Sequence, residues 1–311
     1  MRRETVKGEH ESMSFEFTKM HGAGNDYVYV DCFNTHLDDP ASVAVQISDR
    51  HFGIGSDGLV LVMPPETADA DVRMRIFNAD GSEAEMCGNA IRCVAKFAHR
   101  RGMAVVNPVR IQTGDGVKMV EKVIDKSGEV TSVVVAMGEP RLEPESIPVN
   151  ISTGDASGMV IGMPIEGNLE MDLSGEWVAK AGLEKNFSCV SMGNPHLVFF
   201  CDSVEEIPLA GVGPGLENDP AFPRKTNVHF VEVLSGEKLK IRTWERGSGI
   251  TQACGTGASA ACVAASLAGK AGRNVLVQLP GGDLSIEWRS ENNVVYMSGG
   301  AVEVFSGRWG D

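Results

Sequence analysis

Two cysteines, Cys87 and Cys254, each stand between a strand-like run and a run of small and apolar residues at helical spacing. The surrounding stretches resemble one another: RIFNADGSEAEMCGNAIRCVAKF over 75–97 and IRTWERGSGITQACGTGASAACVAAS over 241–266. In both, a Gly-Ser turn leads to Cys-Gly and then to a helix pattern. A second matched pair comes earlier, GAGND at 22–26 and MGNPH at 192–196. Gly24 lies 63 residues before Cys87, and Gly193 lies 61 before Cys254. Matched order and spacing point to a duplicated half-chain with one thiol in each copy.

A thiol at the start of a helix meets amide N–H groups that have no intrahelical partner, at the positive end of the macrodipole. That setting is expected to pull its pKa below the free value of about 8.5. Gly88-Asn89 and Gly255-Thr256-Gly257 leave backbone N–H groups open to an anion such as a carboxylate. Two such helix ends facing one another can flank an α-carbon with sulfurs. One sulfur, as thiolate, takes a proton; the other, as thiol, returns one from the opposite face. A single cysteine is more often a small buried hydrophobe, so it is the pairing that points to chemistry.

The elements that must hold these thiols give an α/β (α+β) pattern. Strands are expected at 15–20, 27–31, 59–63, 72–77, 117–124 and 130–137, and again at 187–190, 196–201, 228–233, 239–244, 275–279, 284–288, 294–297 and 301–305. The helix after Cys87 puts Ala90, Ile91, Val94, Ala95 and Ala98 on one face and stops at Gly102. The helix over 257–268 has no polar face at all. It must be buried all round, as a central helix enclosed by a curved sheet would be. A Pro/Gly/Ser/Glu-rich stretch from 138 to about 158 reads as the crossing between halves.

At 311 residues, 42% apolar and 23% charged, the chain is a globular protein with room for two cores. Lys plus Arg number 28 against 42 Asp plus Glu, a net charge of −14 that argues against a nucleic-acid partner. Seven cysteines, an odd number with no CxxC or Cys/His ligand spacing, argue against a disulfide framework or a metal site. No apolar run is long enough for a membrane span, and the N-terminus has no secretory core, so a cytoplasmic protein is expected. Residues 1–13 match nothing in the rest and are expected to be a disordered extension, with Met13 an alternative start.

Seven ordered segments carry a family resemblance. They are KMHGAGNDYVYVD (19–31), FGIGSDGLVLV (52–62), RIFNADGSEAEMCGNAIRC (75–93), MGEP (137–140), SMGNPH (191–196), TNVHFVEV (226–233) and ERGSGITQACGTGASA (245–260). From about Phe15 to the C-terminus the chain resembles the diaminopimelate epimerases. The resemblance implies two pseudo-symmetric lobes, each a central helix wrapped by a curved mixed or antiparallel sheet. It assigns 14–139 plus 300–311 to the lobe of Cys87 and 140–299 to the lobe of Cys254.

It also implies a homodimer using neither metal nor pyridoxal phosphate, acting on L,L-2,6-diaminopimelate to give the meso form on the route to lysine and peptidoglycan. Cys254 is then the proton acceptor and Cys87 the donor in that direction. Gly88, Asn89, Gly255 and Thr256 match the holders of the reacting carboxylate. Asn25, Asn78, Asn194, Asn227, Glu245 and Arg246 match the residues that bind the rest of the substrate, and His196 and Glu245 match residues needed near the reacting centre. Neutral amides plus one acid and one base suit recognition of a second amino-acid end.

The chain departs from some members at Gly58, where they carry Gln, and at Phe305, where they carry a Tyr tied to dimer packing. Rival readings explain less. The literal GxGxxG from Gly53 to Gly58 is followed by a strand, not a helix, which excludes a dinucleotide site. A cysteine hydrolase with Cys254 as nucleophile and His196 as base leaves Cys87 unused. A proline-racemase-like enzyme would leave the Asn, Glu and Arg set idle, and a phenazine-pathway isomerase would not keep the two-cysteine pair. Acid and base straddling one carbon also implies that Cys87 and Cys254 can oxidise to a disulfide without substrate.

Overall fold

The computed structural model describes residues 14–153 and 158–310; the expected extension over 1–13 lies outside the described residues. The first half runs β1 (Phe15–Gly22), β2 (Asn25–Asp31), α1 (Pro40–Ser48), β3 (Gly58–Met63), β4 (Val72–Asn78), β5 (Glu83–Ala84), α2 (Gly88–Arg100), β6 (Val109–Thr113), β7 (Gly116–Ile124) and β8 (Val130–Gly138). After β9 (Met163–Pro164) and α3 (Glu176–Ala181) the same series returns. It comprises β10 (Asn186–Ser191), β11 (Pro195–Cys201), α4 (Leu209–Glu217), β12 (Asn227–Ser235), β13 (Lys238–Glu245), β14 (Gly249–Thr251), α5 (Gly255–Leu267), β15 (Asn274–Leu279), β16 (Gly282–Trp288) and β17 (Val295–Gly299). The last strand is β18 (Val302–Trp309).

Strand pairing repeats as the order does. β1 is antiparallel to β2, β2 parallel to β3, β3 antiparallel to β4, and β4 parallel to β6 across the α2 crossover. In the second half β10 is antiparallel to β11, β11 parallel to β12, β12 antiparallel to β13, and β13 parallel to β15 across α5. The halves join where like meets like: β8 pairs antiparallel with β17, its counterpart, as a twofold relation requires. β18 then returns to pair with β1 at the far end of the chain.

Composition explains why α2 and α5 occupy the centre. Ala258 to Ala265 of α5 are all buried, and only small side chains allow sheet to approach a helix from every direction. α2 buries Ile91, Val94, Ala95, Phe97 and Ala98 and exposes Arg100 near its end. One apolar cluster runs from α2 through Met297 to α5, so the two central helices share a core. Separate clusters lie beneath α1 and around α4. α2 stops as expected, with Gly102 at φ +69° taking the left-handed turn.

Seven elements were not expected from the pattern: the short β5, β9, α3 and β14, and α1, α4 and β6. α1 begins on an Asp39 side chain that accepts the Ser42 N–H, with proline first in the helix. α4, LAGVGPGLE, has four poor helix formers, three glycines and a proline, and forms because Leu209, Val212 and Leu216 bury one face. β6, VRIQT, alternates buried and half-buried residues but over only five positions. α5 starts two residues earlier than expected, at Gly255, so that Cys254 caps it.

Candidate active site

Cys87 and Cys254 occupy the N-cap positions of α2 and α5 in extended conformation, at φ −140° and −123°, and neither side chain caps its helix. Ser, Thr, Asp or Asn would stabilise such a position by about 1 kcal/mol. Two helices that forgo this stabilisation in the same way leave their first amides free for something else. Each cysteine is followed by a glycine, and the end of one methionine fills the space beside it. A Cβ on Gly88 would lie 3.0 Å from Met297 Cε, and one on Gly255 2.7 Å from Met297 Sδ. Met297 thus sits against both helix starts.

Both thiols line one cleft of about 1100 Å³ between the halves. Asn25, Asn78, Gly88, Asn89, Asn194, Glu245, Arg246, Gly255 and Thr256 line it too, so most of the expected site residues converge there. His196 and Asn227 do not. His196 is fully buried behind Asn194, giving its Nε2 to Asn194 Oδ1 at 2.9 Å. Asn227 is a staple: its Nδ2–H donates to Pro195 O at 2.9 Å and its Oδ1 accepts the Arg246 N–H at 3.0 Å. Both therefore act on the cleft wall from behind.

Side-chain contacts place each thiol in a distinct setting. Cys87 donates to Asn25 Oδ1 at 3.4 Å, and Asn25 is held by its Nδ2–H to Asp57 Oδ2 at 2.8 Å. Asp57 is in turn bridged to Asp26 by Arg50, at 3.0 Å to each carboxylate. Cys254 lies 3.6 Å from Thr256 Oγ1, which is 3.5 Å from Asn194 Nδ2. Glu245 accepts the Thr251 hydroxyl at 2.5 Å and lies beside Cys254. Asn89, from α2, donates to Ala253 O at 3.3 Å, tying one helix start to the other.

Burial reverses the expectation of low thiol pKa values. It pushes both thiols up, Cys254 especially. The amides of Ala90 and Asn89 pull Cys87 back down, and Thr256 and the Gly257 amide pull Cys254, but neither offsets desolvation. The Glu245 carboxylate adds to the upward push on both sulfurs, and burial raises Glu245 itself. A sulfur that becomes a strong base once deprotonated suits abstraction from a weak carbon acid.

The site also contains groups that motif reading passed over. Tyr27 and Thr251 line the cleft, and Asp57 orients Asn25. Asp57 belongs to the GSDG of the rejected nucleotide motif, so its signal lay in a segment already singled out for another reason.

The chain matches the diaminopimelate epimerase family over residues 17–143 and 188–304. It belongs to that family. A diaminopimelate epimerase of Acetivibrio thermocellus is 50% identical over 291 residues, covering 94% of this chain and 97% of the relative. One from Desulfovibrio desulfuricans is 48% identical over 300 residues, covering 96% and 99%. Among solved structures, a phenazine biosynthesis protein of the PhzF family from Bacillus anthracis superposes with a TM-score of 0.66 at 14% identity, covering 95% of this chain and 99% of that one. At that identity the likeness concerns the diaminopimelate epimerase fold alone. No helix among the described residues is long and apolar enough to cross a membrane.

Proposed function

We propose that this chain interconverts L,L- and meso-2,6-diaminopimelate, with Cys254 and Cys87 as the two proton-transfer groups. The observation that carries the reading is the pair of uncapped helix-start cysteines on one cleft. The reacting carboxylate sits on the free amides that begin at Gly88 and Gly255, where two macrodipoles stabilise the charge that moves onto it as the α-proton leaves. In the L,L to meso direction the Cys254 thiolate takes the α-proton and the Cys87 thiol delivers one to the opposite face. The reverse direction exchanges the roles. Glu245, beside Cys254, accepts the thiol proton that must leave before the forward reaction begins.

Asn78 and Arg246 lie on the same cleft and suit the far carboxylate and ammonium of a substrate with two amino-acid ends. Asn194 and Thr256 complete the side nearest Cys254. The two thiols supply both acid and base, so the route calls for no cofactor. We place the reaction in the cytoplasm, where thiols stay reduced. We assign 14–139 plus 300–311 and 140–299 to two lobes, with the cleft between them. The pairing of β18 with β1 supports that discontinuous division. We further infer a dimer through β18, which pairs only with β1 among the described residues and exposes Val302, Val304 and Phe305.

The test is α-proton exchange in deuterated water with reductant, on L,L-diaminopimelate and separately on L-proline. Deuterium appearing together with the meso isomer is expected. Cys87→Ala and Cys254→Ala should each lower turnover by about 10²–10⁴-fold. Exchange on proline alone, or exchange that survives both substitutions, would refute the assignment.

A further inference from the structure

We propose that His229 is a positioning residue. Through the tautomer of His196 it holds the Asn194 amide with its N–H group turned toward Thr256 and the cleft. The inference rests on the two-thiol reading above and deepens it. His229 is fully buried on β12 and lies off the cleft, and no step described so far uses it. Its Nε2 is 2.8 Å from His196 Nδ1, and its Nδ1 is 2.9 Å from Thr243 Oγ1. A Cβ on Gly257 would lie 2.2 Å from the ring, so α5 packs directly onto it.

The direction of every bond in this chain follows from its far end. Asn194 Oδ1 can only accept, so His196 Nε2 carries the proton. In a neutral imidazole Nδ1 is then an acceptor, so His229 Nε2 must donate to it. His229 Nδ1 is left as an acceptor for the Thr243 hydroxyl. Two neutral rings satisfy the whole chain, and burial holds both neutral, with Arg246 pressing His196 the same way. The Asn194 Nδ2–H then donates to Thr256 Oγ1, leaving the threonine hydroxyl proton free to point at the Cys254 sulfur.

The other half turns the matching asparagine the opposite way. Asp57 accepts from Asn25 Nδ2, so Asn25 presents its carbonyl oxygen to Cys87. Cys87 therefore meets an acceptor, which suits a thiol, whereas the Thr256 hydroxyl offers Cys254 a donor, which suits a thiolate. While ionised, Glu245 works against forming that thiolate, and once it has taken the thiol proton it adds no positive charge beside the sulfur, which is why a donor fixed from behind matters on this side. With the His196 tautomer reversed, the Asn194 amide would flip, the Thr256 hydroxyl would donate to it instead, and Cys254 would lose its donor.

Alkylation by iodoacetamide, followed separately for the Cys87 and Cys254 peptides by mass spectrometry, tests this without substrate. His229→Leu removes the donor to His196; His229→Gln keeps an N–H that can replace it. His229→Leu should slow Cys254 about tenfold relative to Cys87, the worth of one hydrogen bond to a charged group. His229→Gln should bring the ratio back to within about threefold of wild type on the same scale. An unchanged ratio in His229→Leu, no rescue by His229→Gln, or both cysteines slowing together would overturn the proposal. Wild-type protein with the expected alkylation pattern but no α-proton exchange would sink the functional reading while leaving this one standing.

Discussion

Gly257→Ala should be far more damaging than its size suggests. The added methyl would meet His229 Cε1 at 2.2 Å, Nδ1 at 2.8 Å and Nε2 at 2.9 Å. The ring cannot step aside freely, because both nitrogens are hydrogen-bonded in a buried site. Overpacking costs about 1–3 kcal/mol. Displacing the ring adds about 1–3 kcal/mol for each buried hydrogen bond it breaks. Alanine returns about 1 kcal/mol of helix propensity. With one of the two bonds broken, the net loss is about 3 kcal/mol, or roughly a 150-fold change in the folded-to-unfolded ratio.

Gly255→Ala is the control. Its methyl would meet Met297 Sδ at 2.7 Å and Cε at 3.3 Å, the end of a flexible thioether that can rotate away. That variant should fall within about 1 kcal/mol of wild type. Urea unfolding, followed by tryptophan fluorescence and far-ultraviolet circular dichroism in parallel, measures both. If Gly257→Ala proves no less stable than Gly255→Ala, the His229 ring is not the rigid wall described here.

Two other outcomes follow from the same geometry. His196 and His229 are kept neutral by burial, His229 down to about 3. The unfolded chain binds those protons below about pH 6.5, so stability should fall with pH from there by up to about 1.4 kcal/mol per unit per histidine. His229→Gln should remove about half of that slope in urea titrations, and an unchanged slope would count against neutral burial. At the β18 edge, light scattering should give twice the 33.2 kDa chain mass, and Phe305→Lys should shift it toward one chain; wild-type protein at the single-chain mass would refute the dimer.

Sequence alone determined a good deal of this protein. Duplication was legible because both copies keep Gly-Ser, then Cys-Gly, then a helix, and each of those features is local. The burial of α5 was legible because a helix without a polar face has nowhere else to go. Strand positions followed from apolar runs, and the cleft residues followed from the ordered family segments.

Tertiary structure decided what depends on distance between parts far apart in the chain. Thiol basicity reversed sign against expectation, because helix position is local but desolvation comes from everything packed around the sulfur. His196 and Asn227 stand behind the cleft because a strand residue's depth depends on what its neighbours bury. Met297 against both helix starts, and His229 against Gly257, link positions separated by 28 to 209 residues, and no spacing rule could pair them. The orientation of each asparagine amide is set in the same way. Residue types name the groups, and only packing decides which atom of each faces the thiol.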